Sequence, residues 1–395
     1  MEGKLKEKIF FLGRQKIFMI LLFIPLLFIL STLFSDSFNN GFMNKENRSI
    51  FSIIFSHYIW VLVYMAVFIT SGEKKYLNYI LSAFLSAIFF SEIISYMIHF
   101  QILDVDYFKH LHLIYKYTAV DDPTPFMHHI WYSFFLSIAI LFLIDIFLHT
   151  TSKMLKLSTF LFMSSALVNL FINGGRTGQI GFIIGSMVYF FYYYKVTIKS
   201  FIAILGILTM IVTLAYNTST TFHNRVNLAI QDIEYIKQDN FSKSWGMRFA
   251  SNLTVVNYLI SAPARFIFGA GAGDSEKEYH QYAEKYMPKN ISAVIKNLPH
   301  LHNQYLQLWF DGTIFALLLL FSYFYFMFKL PVEKRYKPLL FAALSIFIFV
   351  LTPNNLIYRP KTYFLFLFIT SYFIVSSQKA NQNFFISFIK DSREK

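Results

Sequence analysis

The sequence predicts an all-α fold, a polytopic bundle of about ten to twelve transmembrane helices with one large, mainly helical extramembrane loop. Three observations predict it. Charged residues make up only 14% of the chain, where soluble domains carry roughly 25%. Hydrophobic residues make up 56%, and several apolar runs reach the ~20 residues a helix needs to cross a bilayer. Lysine and arginine collect on alternate connections between those runs, the bias that sets orientation in a membrane.

In chain order, spans are read at 17–35, 51–71, 77–101, 130–148, 157–173, 178–194, 200–216, 304–328, 338–353 and 362–377. The first follows a charged segment and lacks a small-residue cleavage site, so it is expected to remain as an anchor. With the N-terminus inside, the inner connections are Lys4 to Lys16, Glu73-Lys74-Lys75, Lys153 to Lys156, Lys195 to Lys199, Lys329 to Lys337, and the tail through Lys395. All are basic or carry lysine, which accounts for much of the net charge of +13. The expected surroundings are therefore a lipid bilayer, with no nucleic-acid partner. Both termini are expected in the cytoplasm. The absence of cysteine excludes disulfides, thiolate metal sites and a cysteine nucleophile.

The opposite face carries 36–50, 104–129, the turn 174–177, the long segment 217–303 and the short turn 354–361. This divides the chain into an N-terminal transmembrane bundle (1–216), a large loop with the catalytic elements (217–303), and C-terminal transmembrane helices with a cytoplasmic tail (304–395). A structureless loop of that length is unusual, so it is expected to fold. Ile230, Ile233 and Ile236 stand at helical spacing, and 244–261 reads as a second helix. Pro263 and Gly269-Ala270-Gly271-Ala272-Gly273 interrupt the pattern. A polar segment at 276–287 is a third helix candidate, and Pro288 and Pro299 bracket the return to the membrane. Loop 104–129 brings His110, His112, His128 and His129 together with Asp104, Asp106, Asp121 and Asp122. It is either a second wall of an external cavity or a solvated loop.

The candidate chemistry lies at the rim of the spans. In Asn173-Gly174-Gly175-Arg176-Thr177-Gly178 two glycines permit a tight turn and plant an arginine at the membrane boundary. Its guanidinium is a permanently charged fork that matches phosphate oxygens; the alternative is a snorkelling arginine at a helix end. Arg225 and Arg248 are either further anion ligands or ion-paired surface residues. Phe268 to Gly273 is either a backbone nest for an anion or a plain turn. In Pro299-His300-Leu301-His302-Asn303-Gln304, His302 is a general base, a metal ligand, or a packed residue at a helix start. His300 and Asn303 are possible supports. Asp104-Val105-Asp106 is either an acidic pair for a divalent ion or a polar loop. Glu92 and Asp145 lie inside spans and are either functional or paired within the bundle. No P-loop, Gly-x-Ser-x-Gly elbow or His-Glu-x-x-His is present.

These segments together resemble the O-antigen ligase family, within the superfamily that also holds O-antigen polymerases and bacterial protein O-oligosaccharyltransferases. The resemblance runs from about 165 to 330 and rests on five pieces in order. They are Gly174-Gly175-Arg176-Thr177-Gly178, Asn224-Arg225-Val226-Asn227, Ser244-Trp245-Gly246-Met247-Arg248, Ala262-Pro263 through Gly273, and His302-Asn303-Gln304-Tyr305-Leu306-Gln307 leading to Asp311-Gly312. Trp245 and Met247 stand where smaller or aliphatic residues are more usual. The family is described with twelve spans, against about ten read here.

The resemblance implies a multi-pass enzyme of the bacterial inner membrane, its fold like that of C-class glycosyltransferases and its active site on the periplasmic side. Such an enzyme moves a glycan en bloc from undecaprenyl pyrophosphate to lipid A–core oligosaccharide in lipopolysaccharide biosynthesis. The transfer inverts the anomeric centre and uses neither a metal nor another cofactor. Carried over by position, Arg176 and Arg248 bind the pyrophosphate, Arg225 assists, and His302 deprotonates or positions the acceptor hydroxyl. An unperturbed histidine pKa of about 6.5 suits that proton transfer. Preorganised cations suit a leaving group that gains negative charge, each donor contributing ~3–4 kcal/mol. A polymerase or a protein O-oligosaccharyltransferase would share the donor and differ in acceptor. A transporter or flippase of lipid-linked glycans would instead need polar residues along a path through the bundle, whereas here they gather at one rim.

Overall fold

In the computed structural model, residues 2–33, 58–71, 74–194, 197–272, 274–298, 301–357 and 359–378 are described. They form an all-α polytopic bundle, and among them the only β-pairing is an isolated bridge between Ala119 and Asp122. Among the described residues four helices are long and apolar enough to cross a membrane: Tyr76–His99, His129–His149, Lys153–Ile172 and Ile198–Thr218. Leu5–Arg14 and Lys16–Ser31, bent by 84°, count as a fifth if taken as one span. The remaining expected spans fall on helices that are shorter or less apolar. Residues 51–57 of the second lie outside the described residues, leaving Trp60–Ser71.

One expected span is broken. Residues 304–328 form two helices, Gln304–Gly312 and Ile314–Phe328. Thr313 between them has φ +87°, a conformation that costs a β-branched residue and stops the first helix. Its hydroxyl then accepts from the Phe315 N–H at 3.2 Å and caps the second.

The chain divides into two units. One comprises Glu73–Ala229, Val332–Val350 and Ser376–Lys395. Its central helix, His129–His149, is apolar all round and nearly all its side chains from Tyr132 to Asp145 are buried. Arg176–Tyr194 packs on it through Gly178, where a Cβ would meet Ser133, and through Gly185, where it would meet Leu141 and also Ile346 of Lys337–Leu351. The two carboxyls inside the helices have partners. Glu92 accepts from the Ser165 hydroxyl at 2.8 Å, and Asp145 from the Tyr189 hydroxyl at 2.8 Å.

The other unit comprises Met1–Gly72, Ile230–Pro331 and Leu351–Val375. Its part of the long loop is helical, as expected: Ser244–Ile260, Pro263–Phe268, Ser275–Tyr286 and Lys289–Ile295 follow the end of Thr220–Lys237. Pro263 opens a short helix rather than ending structure, since proline suits the first helical turn. These helices bury a core of their own, including Val255, Leu259, Tyr279 and Ile295. Leu301 and Phe310, on either side of the loop–helix junction at 302–304, belong to the same core. Burial of such side chains contributes about 1.5–3 kcal/mol each, which anchors that junction to the folded loop.

Candidate functional site

The turn that carries Arg176 is built by amides. Lys153–Ile172 ends at Asn173, whose side chain donates to the Asn169 carbonyl at 2.9 Å and accepts from the Gly175 N–H at 2.9 Å. Gln179 reaches back to the carbonyls of Leu170 and Asn173, both at 3.0 Å. Arg176 then opens the next helix. The two glycines permit this turn by their size and not by a left-handed backbone, because neither has positive φ. A Cβ on Gly174 would lie 2.7 Å from Nη2 of Arg225, and one on Gly175 would lie 2.5 Å from the carbonyl oxygen of His129. Gly175→Ala is therefore expected to destabilise the protein by ~1–3 kcal/mol, since backbone cannot give way as a side-chain tip can. A lowered unfolding temperature of the purified variant checks this; a wild-type value would mean that the His129 backbone yields.

Arg225 lies across this turn on Thr220–Lys237. Arg176 Nη1 donates to the Arg225 carbonyl at 3.3 Å, so the structure brings these two arginines together. Both are half-buried. Loop 104–129 supplies the anion beside them. Asp122 Oδ1 accepts the Gly174 N–H at 2.9 Å, and Oδ2 lies 2.6 Å from Nδ1 of His129. Burial pushes the Asp122 carboxyl up. The hydrogen bond and charge of His129, the Gly174 N–H and the Arg225 charge outweigh burial and hold it below its ordinary value. Asp122 and His129 were legible only as members of an acidic, histidine-rich loop; the doublet Asp121-Asp122 before Pro123 was the available signal.

Next to this cluster is a cavity of ≈ 460 Å³. Its walls include Leu167, Phe171, Ile211 and Leu214, with His99, Thr218 and Thr221 as polar members. The lining also includes Ile172, two residues before Gly174, and Thr221 stands one helical turn before Arg225.

Arg248, His302 and Asn303 fall in the other unit. Arg248 lies in the second turn of Ser244–Ile260, and its Nη1 donates to Ser244 Oγ at 2.9 Å. Gly246 in the same turn passes over Phe241, where a Cβ would sit 2.7 Å from a backbone carbon. Asn303 is the N-cap of Gln304–Gly312 and accepts from the N–H groups of Tyr305 and Leu306 at 3.0 and 3.2 Å. His302 is the half-buried residue just before that cap. His300 lies outside the described residues, as does Gly273.

The residues that fix His302 were not singled out from sequence. Gln307 Oε1 accepts the Leu301 N–H at 3.0 Å and the Asn355 side-chain N–H at 3.0 Å. The same Asn355 side chain donates to the Leu301 carbonyl. Gln307 Nε2 donates to Asp311 Oδ2 at 2.7 Å, and Ser31 donates to the Asp311 carbonyl at 2.8 Å. Gln304 accepts from the Ile357 N–H at 2.8 Å. The amide doublet Asn354-Asn355 in the short turn was the signal for this clamp.

Two other candidates resolve into plain structure. The N–H groups of Ala270 and Gly271 donate to the Phe310 carbonyl at 2.8 and 3.3 Å, so this stretch is a turn stapled to a helix and not an anion nest. Asp104 caps Val105–His110, accepting from the N–H groups of Asp106 and Tyr107. Among the described residues no group of three or more histidines and carboxylates stands together as a metal set.

No curated protein matches the chain. A family model described as O-antigen ligase matches residues 159–321, a segment that holds Arg176, Arg225, Arg248 and His302. Over that segment this multi-pass membrane protein matches the O-antigen ligase family, and its apolar helical bundle is in keeping with the match.

Proposed function

We propose that the protein is an O-antigen ligase of the bacterial inner membrane, transferring a glycan en bloc from undecaprenyl pyrophosphate to lipid A–core oligosaccharide at the periplasmic face. The observation that carries this reading is the pairing of Arg176 and Arg225 at a glycine turn, next to an apolar cavity of ≈ 460 Å³. A lipid-linked pyrophosphate asks for that combination, two guanidiniums for the headgroup and apolar walls for the first isoprene units.

In this mechanism His302 takes the proton from an acceptor sugar hydroxyl, whose oxygen attacks the anomeric carbon of the donor. The bond from that carbon to the pyrophosphate oxygen breaks, and the configuration inverts. The electron pair leaves with undecaprenyl pyrophosphate. The growing charge is assigned to Arg176 and Arg248, with Arg225 as a third cation, because preorganised donors need no reorganisation when charge develops. His302 sits beside a helix cap that fixes its backbone, as positioned acid–base catalysis requires. The termini are assigned to the cytoplasm from the lysine-bearing connections.

The test is a reconstitution of the purified protein with undecaprenyl-pyrophosphate-linked glycan and lipid A–core, with EDTA present. A size-shifted lipopolysaccharide product supports the ligase. Longer carrier-linked glycans with lipid A–core untouched would instead establish an O-antigen polymerase. No change in either substrate would defeat the enzymatic reading.

A further inference from the structure

Asp122 stands outside the segment matched by the family, yet its carboxylate ties the turn of the arginine cluster to an imidazole, with the Arg225 guanidinium against the same turn. One oxygen holds the Gly174 N–H, two residues before Arg176, at 2.9 Å. The other holds the His129 imidazole at 2.6 Å, the short distance of a charge-assisted hydrogen bond. The Arg225 guanidinium covers Gly174 so closely that a Cβ there would lie 2.7 Å from it. The neighbouring residue adds a third tie, because the Asp121 carbonyl accepts the Thr221 hydroxyl at 2.8 Å, one turn before Arg225. The dipeptide 121–122 thus fastens both the turn that presents Arg176 and the helix that presents Arg225. The Asp122 side chain is 15% exposed and that of His129 20%, so water screens this arrangement only in part.

A backbone N–H at a turn can be satisfied by any neutral acceptor. A carboxylate there does something further, since it sets a counter-charge among cations and orients an imidazole. We infer that Asp122 is a positioning residue for the donor-binding arginines: with His129 as its partner, it holds the Gly174–Arg176 turn and Arg225 in the arrangement that grips a pyrophosphate. This rests on the reading that Arg176 and Arg225 bind the donor headgroup.

Binding of undecaprenyl pyrophosphate to the purified full-length protein in lipid nanodiscs separates the possibilities. The variants are Asp122→Asn, Asp122→Ala and, as reference, Arg225→Ala. Asparagine can still accept the Gly174 N–H, so Asp122→Asn is expected to keep the wild-type unfolding temperature. It loses the counter-charge, and its affinity for the probe is expected to fall about tenfold, the scale set by one hydrogen bond to a charged group. In transfer assays the KM for the donor should rise correspondingly while the KM for the acceptor stays unchanged. Wild-type affinity and donor KM in Asp122→Asn would overturn the inference and leave Asp122 a turn-capping residue. So would equal changes in the two KM values. If Asp122→Ala fails to fold, Asp122→Asn alone decides. A wild type that does not bind the probe, with Arg225→Ala no different, would instead overturn the donor assignment itself and this inference with it.

Discussion

His302→Ala is expected to lower the rate of glycan transfer by about 10²–10⁴-fold, the range that a positioned acid–base group contributes, while the protein remains in the membrane with its unfolding temperature little changed. The contrast follows from how the residue is held. Hydrogen bonds of its neighbours hold this loop: Leu301 is tied at both its N–H and its carbonyl by Gln307 and Asn355, and Asn303 caps the helix. Alanine at 302 leaves each of those ties in place. The loss should therefore appear in kcat with both substrates still bound. Transfer at the wild-type rate would remove His302 from the chemistry. A rise in acceptor KM at unchanged kcat would make it a binding residue instead of a base.

Arg176→Lys is expected to lower kcat/KM for the donor by about 10²-fold, as removal of one preorganised donor does in charge-developing reactions. The charge is conserved in this variant, so any loss measures geometry. Arg176 opens its helix directly after a turn fixed by Asn173 and Gln179, and Nη1 is already engaged with the Arg225 carbonyl at 3.3 Å. A planar fork can keep that bond with one nitrogen and present another to a phosphate oxygen. A lysine ammonium is a single point that cannot serve both in the same way. Steady-state kinetics with varied donor at saturating acceptor decides. Wild-type kinetics would return Arg176 to the role of a helix-end residue.

The helices were legible because apolar length and lysine-bearing connections are local properties of the chain. Residues 130–148 were read as a span and form His129–His149; 244–261 was read as a helix and forms Ser244–Ile260. The break at Thr313 was not legible. A window of apolar residues averages over one position, whereas a single φ of +87° divides the helix. The glycines at 174 and 175 were rightly marked as a turn, but the property that builds it was not legible. What they supply is room for Arg225 and for the His129 backbone, and room depends on residues distant in sequence. The roles of Asp122, Gln307 and Asn355 were illegible for the same reason. Each is an ordinary polar residue whose meaning lies in its partner, and a partner 48 or 52 positions away leaves no periodic trace.

The clamp on Leu301 and Asp311 also bears on modularity. The family match covers residues 159–321, but two of the side chains that secure this stretch, Ser31 and Asn355, come from the first and last parts of the chain. An excised fragment bearing only the recognisable signature would keep His302 and forfeit the fastenings that immobilise its loop. The signature is contiguous as text; the object it denotes closes only when chain segments some 280 positions apart have met, so the end that holds His302 matures with those distant segments and not before them.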